Sequence, residues 1–175
     1  SLQEFDAKRL KIQRNSMLVL GSWALGNFAT NGILLLNGAE GTDKYFYQGN
    51  IYWNLVNFGL AGAGLFNAFR QHPANDLAWQ TIKEQYNTEK VLLFNAGLDV
   101  AYLAGGMYLK ERALNASDNR TQLEGWGNSL LLQGGFLLVF DVAAYLVHVN
   151  HRKKNSKLFK SLKLATNGPG IKLVF

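Results

Sequence analysis

The stretch SMLVLGSWALGNFATNGILLL, residues 16–36, carries no formal charge, yet it sets Asn27 and Asn31 in its middle. At 1.5 Å of rise per residue it is long enough, as a helix, to cross a bilayer core of roughly 30 Å. Three further windows have the same character: residues 49–69, again without charge, and residues 91–109 and 126–147, each with a single aspartate, Asp99 and Asp141. Most of the remaining charge lies in the short segments between these windows. A water-soluble four-helix bundle needs a charged stripe along every helix, because one face meets water. No such stripe is present. The pattern predicts an all-α integral membrane protein, a four-helix transmembrane bundle with amphipathic flanking segments.

The expected organisation follows. Residues 1–14 form an amphipathic segment, with Leu2, Phe5, Leu10 and Ile12 among acids and bases, lying on the membrane or continuing into the first helix. Residues 15–150 form the transmembrane domain, with helices at about 16–36, 49–69, 91–109 and 122–150. Asn37-Gly38 stops the first of them. The aromatic-rich AEGTDKYFYQGNIYW, residues 39–53, reads as an interfacial loop, with Tyr108 and Trp126 at the same level. A separate surface helix is expected at about 75–88, with Ala78, Trp79, Ile82 and Tyr86 on one face. TQLE, residues 121–124, reads as a capping box opening the fourth helix. Residues 151–175 form a basic tail.

The N-terminal segment (Lys8, Arg9, Lys11, Arg14), the middle connection (Arg70, Lys83, Lys90) and the tail (Arg152, Lys153, Lys154, Lys157, Lys160, Lys163, Lys172) hold 14 of the 18 basic residues. By the positive-inside rule both termini are cytoplasmic, in a bacterial inner membrane. The first residue is Ser1 rather than methionine, which points to removal of an upstream segment; a cleaved secretory leader would instead place the N-terminus outside. The net charge of +6 calls for anionic lipid head groups as partners and needs no nucleic acid. The absence of cysteine excludes disulfides, thiolate metal sites and cysteine nucleophiles.

Helical spacing places the polar residues of each helix on one side. Asn27, Thr30 and Asn31 share a face of the first helix, and Asn50, Asn54 and Asn57 share one on the second. Asn95, Asp99, Tyr102 and Gly106 share one on the third; Gly134, Leu137, Asp141, Tyr145 and His148 share one on the fourth. An unsatisfied polar group in hydrocarbon costs several kcal/mol, so these faces turn inward toward one another. The expected intramembrane polar cluster is Asn27, Asn31, Asn57, Asn95, Asp99, Tyr102, Asp141 and Tyr145. It serves either as a proton or cation site or as hydrogen-bonding glue between helices, and both roles share a protonated resting state. Opposite Asp99, Gly97, Ala101 and Gly105 form a small-residue face suited to close helix packing. WALGNF at 23–28 and WNLVNF at 53–58 echo each other, as do DVAYL at 99–103 and DVAAYL at 141–146, consistent with relics of duplication.

His72, His148 and His151 lie toward the same end and are candidate ligands for a metal or a haem, although histidine at an interface more often caps a helix end. No metal site and no cofactor are predicted; haem and lipid stay open as ligands. No H-E-x-x-H, P-loop or nucleophile elbow occurs, so enzyme activity is not expected. Three roles remain. The first is an accessory or structural subunit of a larger membrane complex, or a self-associating protein; the second is a proton- or cation-coupled carrier or channel using Asp99 and Asp141; the third is a lipid or cofactor binder.

The opening LQEFDAKRLKIQRNSMLVLGSWALGN, residues 2–27, resembles the start of an uncharacterised family of small membrane proteins of the Bacteroidota type. E-F-x-x-K-R-L followed by M-L-V-L-G-S-W-A-L-G-N carries the resemblance, which covers the first two helices. It implies a four-helix membrane protein and no known activity.

Overall fold

The computed structural model describes residues 1–71, 78–157 and 159, and those residues are all-helical, without strands. Four helices follow one another: α1 (Leu2–Leu36), α2 (Gly41–Arg70), α3 (Ala78–Leu114) and α4 (Arg120–Lys154). α1 pairs with α2 and α3 pairs with α4. The pairs are joined mainly through α2 against α4, while α3 leaves α2 almost free of contact. The chain runs up and down. One end of the bundle, the base, gathers the start of α1, the end of α2, the start of α3 and the end of α4.

The polarity is inverted relative to a soluble bundle. Asn50, Asn54, Asn57, Gln85, Asp99, Gln133 and His148 are buried, while Phe94, Val139, Leu55 and Phe69 point outward, with Val139 71% exposed. α1, α3 and α4 are long and apolar enough to cross a membrane. α2 falls short of that measure because Asn50, Asn54, Asn57 and Asn67 depress its mean hydropathy, although the first three are buried.

Several helices run further than their apolar windows. α1 is one helix from Leu2, so residues 1–14 continue it rather than lying flat. At 1.5 Å per residue it is about 52 Å long, well beyond a bilayer core. Its first turns are held at the base: Phe5 stacks on His151 at a centroid distance of 4.3 Å, meets Phe159 edge-on, and clusters with Ile82 and Tyr86. Asp6 and Arg9 form a buried ion pair at 2.7 Å, and Arg9 also donates to Gln71. Arg14 donates twice to the Ala68 carbonyl, at 2.9 and 3.2 Å, covering the end of α2.

Of the expected surface helix at 75–88, residues 75–77 lie outside the described residues and the remainder is not a separate element. Residues 78–88 are the first turns of α3, because their inward face is taken up by the base: Thr81, Ile82, Gln85 and Glu89 are buried and Trp79 is exposed. Arg152 of α4 donates to both carboxylate oxygens of Glu89, at 2.8 and 3.0 Å, and Gln85 donates to Glu89 and to the His148 carbonyl. Residues 39–53 are not a loop either, since α2 begins at Gly41. Tyr45 meets Trp126 edge-on from within a helix. The capping box at 121–124 does not form. α4 begins two residues earlier, the Leu123 amide donating to the Asn119 carbonyl, so Thr121 is already helical. A capping box forms instead at Ser1 and Glu4. α1 ends where expected, with Asn37 as cap and Gly38 at φ +84°. The expected 151–175 tail is described only to residue 157 and at 159; the rest of it, with His72, lies outside the described residues.

The small-residue contact differs from the expected one. Gly97, Ala101 and Gly105 face away from the bundle, and a Cβ built on either glycine meets nothing within 4 Å. α3 has its long neighbour, α4, on one side only. The close approach is at Gly106 and Gly127, where a Cβ on Gly106 would sit 2.9 Å from the Gly127 carbonyl oxygen and 2.9 Å from Leu131. Gly106→Ala is therefore expected to push α3 and α4 apart and lower stability by about 1–2 kcal/mol, as overpacking does. Gly97→Ala should be neutral. Paired thermal unfolding in detergent checks both, and equal effects would contradict the assignment.

Candidate carboxyl-pair binding site

The inward polar residues form two separate groups. The first joins α1, α2 and α4 through side-chain amides. Gln133 is its hub: its carbonyl accepts from Trp23 Nε1 at 3.0 Å, and its Nε2 donates to Asn50 Oδ1 at 3.0 Å and to Asn27 Oδ1 at 3.2 Å. Ser129 donates to Asn50 at 2.8 Å, and Asn50 donates to Asn31 at 3.0 Å. Asn31 and Asn54 close the set with bonds to backbone carbonyls one turn back, those of Asn27 and Asn50. Trp23 adds a stacked contact with Phe136 at 3.9 Å. Each amide in this group spends its donors inside the group, so it offers little to a ligand.

The second group is built on α3 and α4. Asp99 and Asp141 are near neighbours where α3 meets α4, close enough for each carboxyl to influence the other, and both line one cavity. Both are buried, at 2% and 5% exposure. Like charges side by side in an apolar setting do not both persist unless a proton or a cation lies between them. Asp99 Oδ2 is buried without a hydrogen-bond partner.

The pair lines a cavity of about 550 Å³ in the cleft between α2 and α3, walled behind by α4 and, toward the base, by α1. Trp53 and Tyr102 bound one end of it, their rings 4.7 Å apart. From there it runs past Asn57, Leu60, Asn95, Leu98, Leu137 and Phe140 toward Glu84, Gln13 and His148 at the base. No lysine or arginine lines it. His148 is 1% exposed and its Nδ1 has no partner.

The expected cluster is thus divided. Asn57, Asn95, Asp99, Tyr102 and Asp141 line the cavity, whereas Asn27 and Asn31 belong to the amide group, and Asn57 touches both by donating to Asn54 at 3.4 Å. Tyr145 is half-buried outside the cavity. His148 and His151 do not converge on a common ligand position: His151 Nε2 meets the Phe5 carbonyl at 3.0 Å, and among the described residues no three His, Asp or Glu side chains gather as a metal set. Gln133 and Ser129 are absent from the expected cluster. Their signal was present in the sequence, as the only strongly polar uncharged side chains between Asn128 and Asp141.

Fold and site together define a four-helix protein of inverted polarity, with amides and carboxyls inside, aliphatic side chains outside and an acidic side cleft. The chain belongs to a family of unknown function, DUF6992, whose model matches residues 19–142. The match takes in part of α1 and all of α2 and α3, reaches into α4 past Asp141, and so extends beyond the first two helices while leaving E-F-x-x-K-R-L outside. No curated protein and no solved structure matches the chain.

Proposed function

We propose that the chain is a polytopic membrane protein, crossed by all four helices, that binds a proton or a monovalent cation at Asp99 and Asp141 and carries it through the α2–α3 cleft. One observation supports the reading above the others: two buried carboxyls meet in a cavity that no lysine or arginine lines, and one of their oxygens is unpartnered. Buried acids of this kind are costly in hydrocarbon unless a proton or cation neutralises them. α2 is included among the spans because residues 49–69 carry no charge and three of its asparagines are turned inward. Reconstitution into liposomes with a pH gradient tests the role. Asp99→Asn together with Asp141→Asn is expected to leave an intact bundle and abolish flux; flux in the double variant equal to wild type would sink the carrier.

A second reading, an accessory subunit of a larger membrane complex, draws on a different observation, the bare Gly97, Ala101 and Gly105 face of α3. Gly97→Leu with Gly105→Leu leaves the bundle's own contacts untouched. It is expected to release a stoichiometric partner, or a second copy, from protein purified in mild detergent. An unchanged particle mass would remove this support.

A further inference from the structure

The cavity is far larger than a proton or a bare metal ion requires. Its volume of about 550 Å³ falls inside the range of roughly 300–1,000 Å³ that holds drug-sized molecules. Its walls divide the chemistry in a way that describes a ligand. Leu60, Leu98 and Leu137 supply apolar surface, Trp53 and Tyr102 supply ring faces, and the acids are Asp99, Asp141 and Glu84 at the basal mouth. An inorganic cation would need several converging oxygens, and hard cations take six or more. Here two carboxyls stand beside aromatic rings, an arrangement that suits a large, weakly hydrated charge, because ring faces attract such cations.

We propose that the cavity binds a hydrophobic organic monocation, a substituted ammonium or phosphonium, with its charged centre against Asp99 and Asp141 and its body along the leucines. This rests on the carboxyl pair being the cation site proposed above and names the class of its cargo. Asp99 Oδ2, buried and unpartnered, is the free acceptor, and the shared proton leaves to solvent as the cation enters. One positive charge then replaces another, and the net charge of the carboxyl pair is unchanged.

Equilibrium dialysis of the purified full chain in detergent, with methyltriphenylphosphonium and its uncharged carbon isostere triphenylethane, tests the proposal. The expected result is saturable binding of the cation alone, weakening as pH falls, with a proton released on binding. Asp99→Asn with Asp141→Asn should weaken it by about a hundredfold, as loss of a desolvated charge partner does. Leu98→Trp, which fills the cavity and keeps both carboxyls, should block the phosphonium. Equal binding of the isostere, unchanged binding in the double aspartate variant, or no saturable binding at all would overturn the proposal. Absent phosphonium binding with intact proton flux would overturn it alone; loss of both would take the carrier reading with it.

Discussion

Gln133→Leu is expected to lower the stability of the bundle by about 3 kcal/mol, read as a shift in the unfolding midpoint in mixed micelles. The substitution conserves volume, so the loss comes from hydrogen bonds. Three disappear at once, to Trp23, Asn27 and Asn50. Within membranes such bonds average about 0.6 kcal/mol each. Asn50 Oδ1 keeps Ser129 and Asn27 Oδ1 keeps Asn31, but the indole N–H of Trp23 is left without its acceptor, and a stranded buried donor costs about 1–3 kcal/mol more. Ser129→Ala removes one bond and should cost well under half as much. If the two variants unfold alike, Gln133 is not the hub that ties α1 and α2 to α4.

The second large effect falls on binding rather than folding. Asp99→Asn and Asp141→Asn should each abolish most proton or cation binding, and the double variant should be little worse than either single one. Two groups that share one proton act as a unit, so their losses do not add. Stability should hold or rise, because an amide in the same place is cheaper to bury than a charged carboxyl. The contrast with Gln133 separates the two polar groups by their purpose. One is spent on itself and holds helices together; the other has an oxygen left over.

Much of this arrangement is legible in the sequence, and the rest is hidden for physical reasons. Windows of bilayer length with at most one charge mark the helices, and a period of 3.6 residues turns Asn27, Asn57, Asp99 and Asp141 inward. Periodicity assigns a residue to a face but does not say which helix that face meets. The four residues therefore read as one layer, although Asn27 joins the amide group through Gln133 while Asp99 lies beside Asp141 in the cavity. Depth alone puts all four at similar levels, and depth is a single coordinate. The continuity of α3 was concealed by its composition. Lys83, Glu84, Glu89 and Lys90 look like a surface segment, yet Glu89 is buried because Arg152, more than sixty residues away, neutralises it. The small-residue face shows the same limit. Gly97, Ala101 and Gly105 have the right spacing for close packing, but α4 seats on Gly106 instead, one residue on and about 100° around the helix.

On the proposed reading, Asp99 and Asp141 hold a shared proton which a cation displaces. Infrared difference spectroscopy of the reconstituted protein, before and after methyltriphenylphosphonium is added at constant pH, reads that proton directly through the C=O stretch of a protonated carboxyl. A band lost on cation addition in the wild type, and absent throughout in the double asparagine variant, is the result this account predicts. A wild-type spectrum without that band, or a band that survives both substitutions, would contradict it.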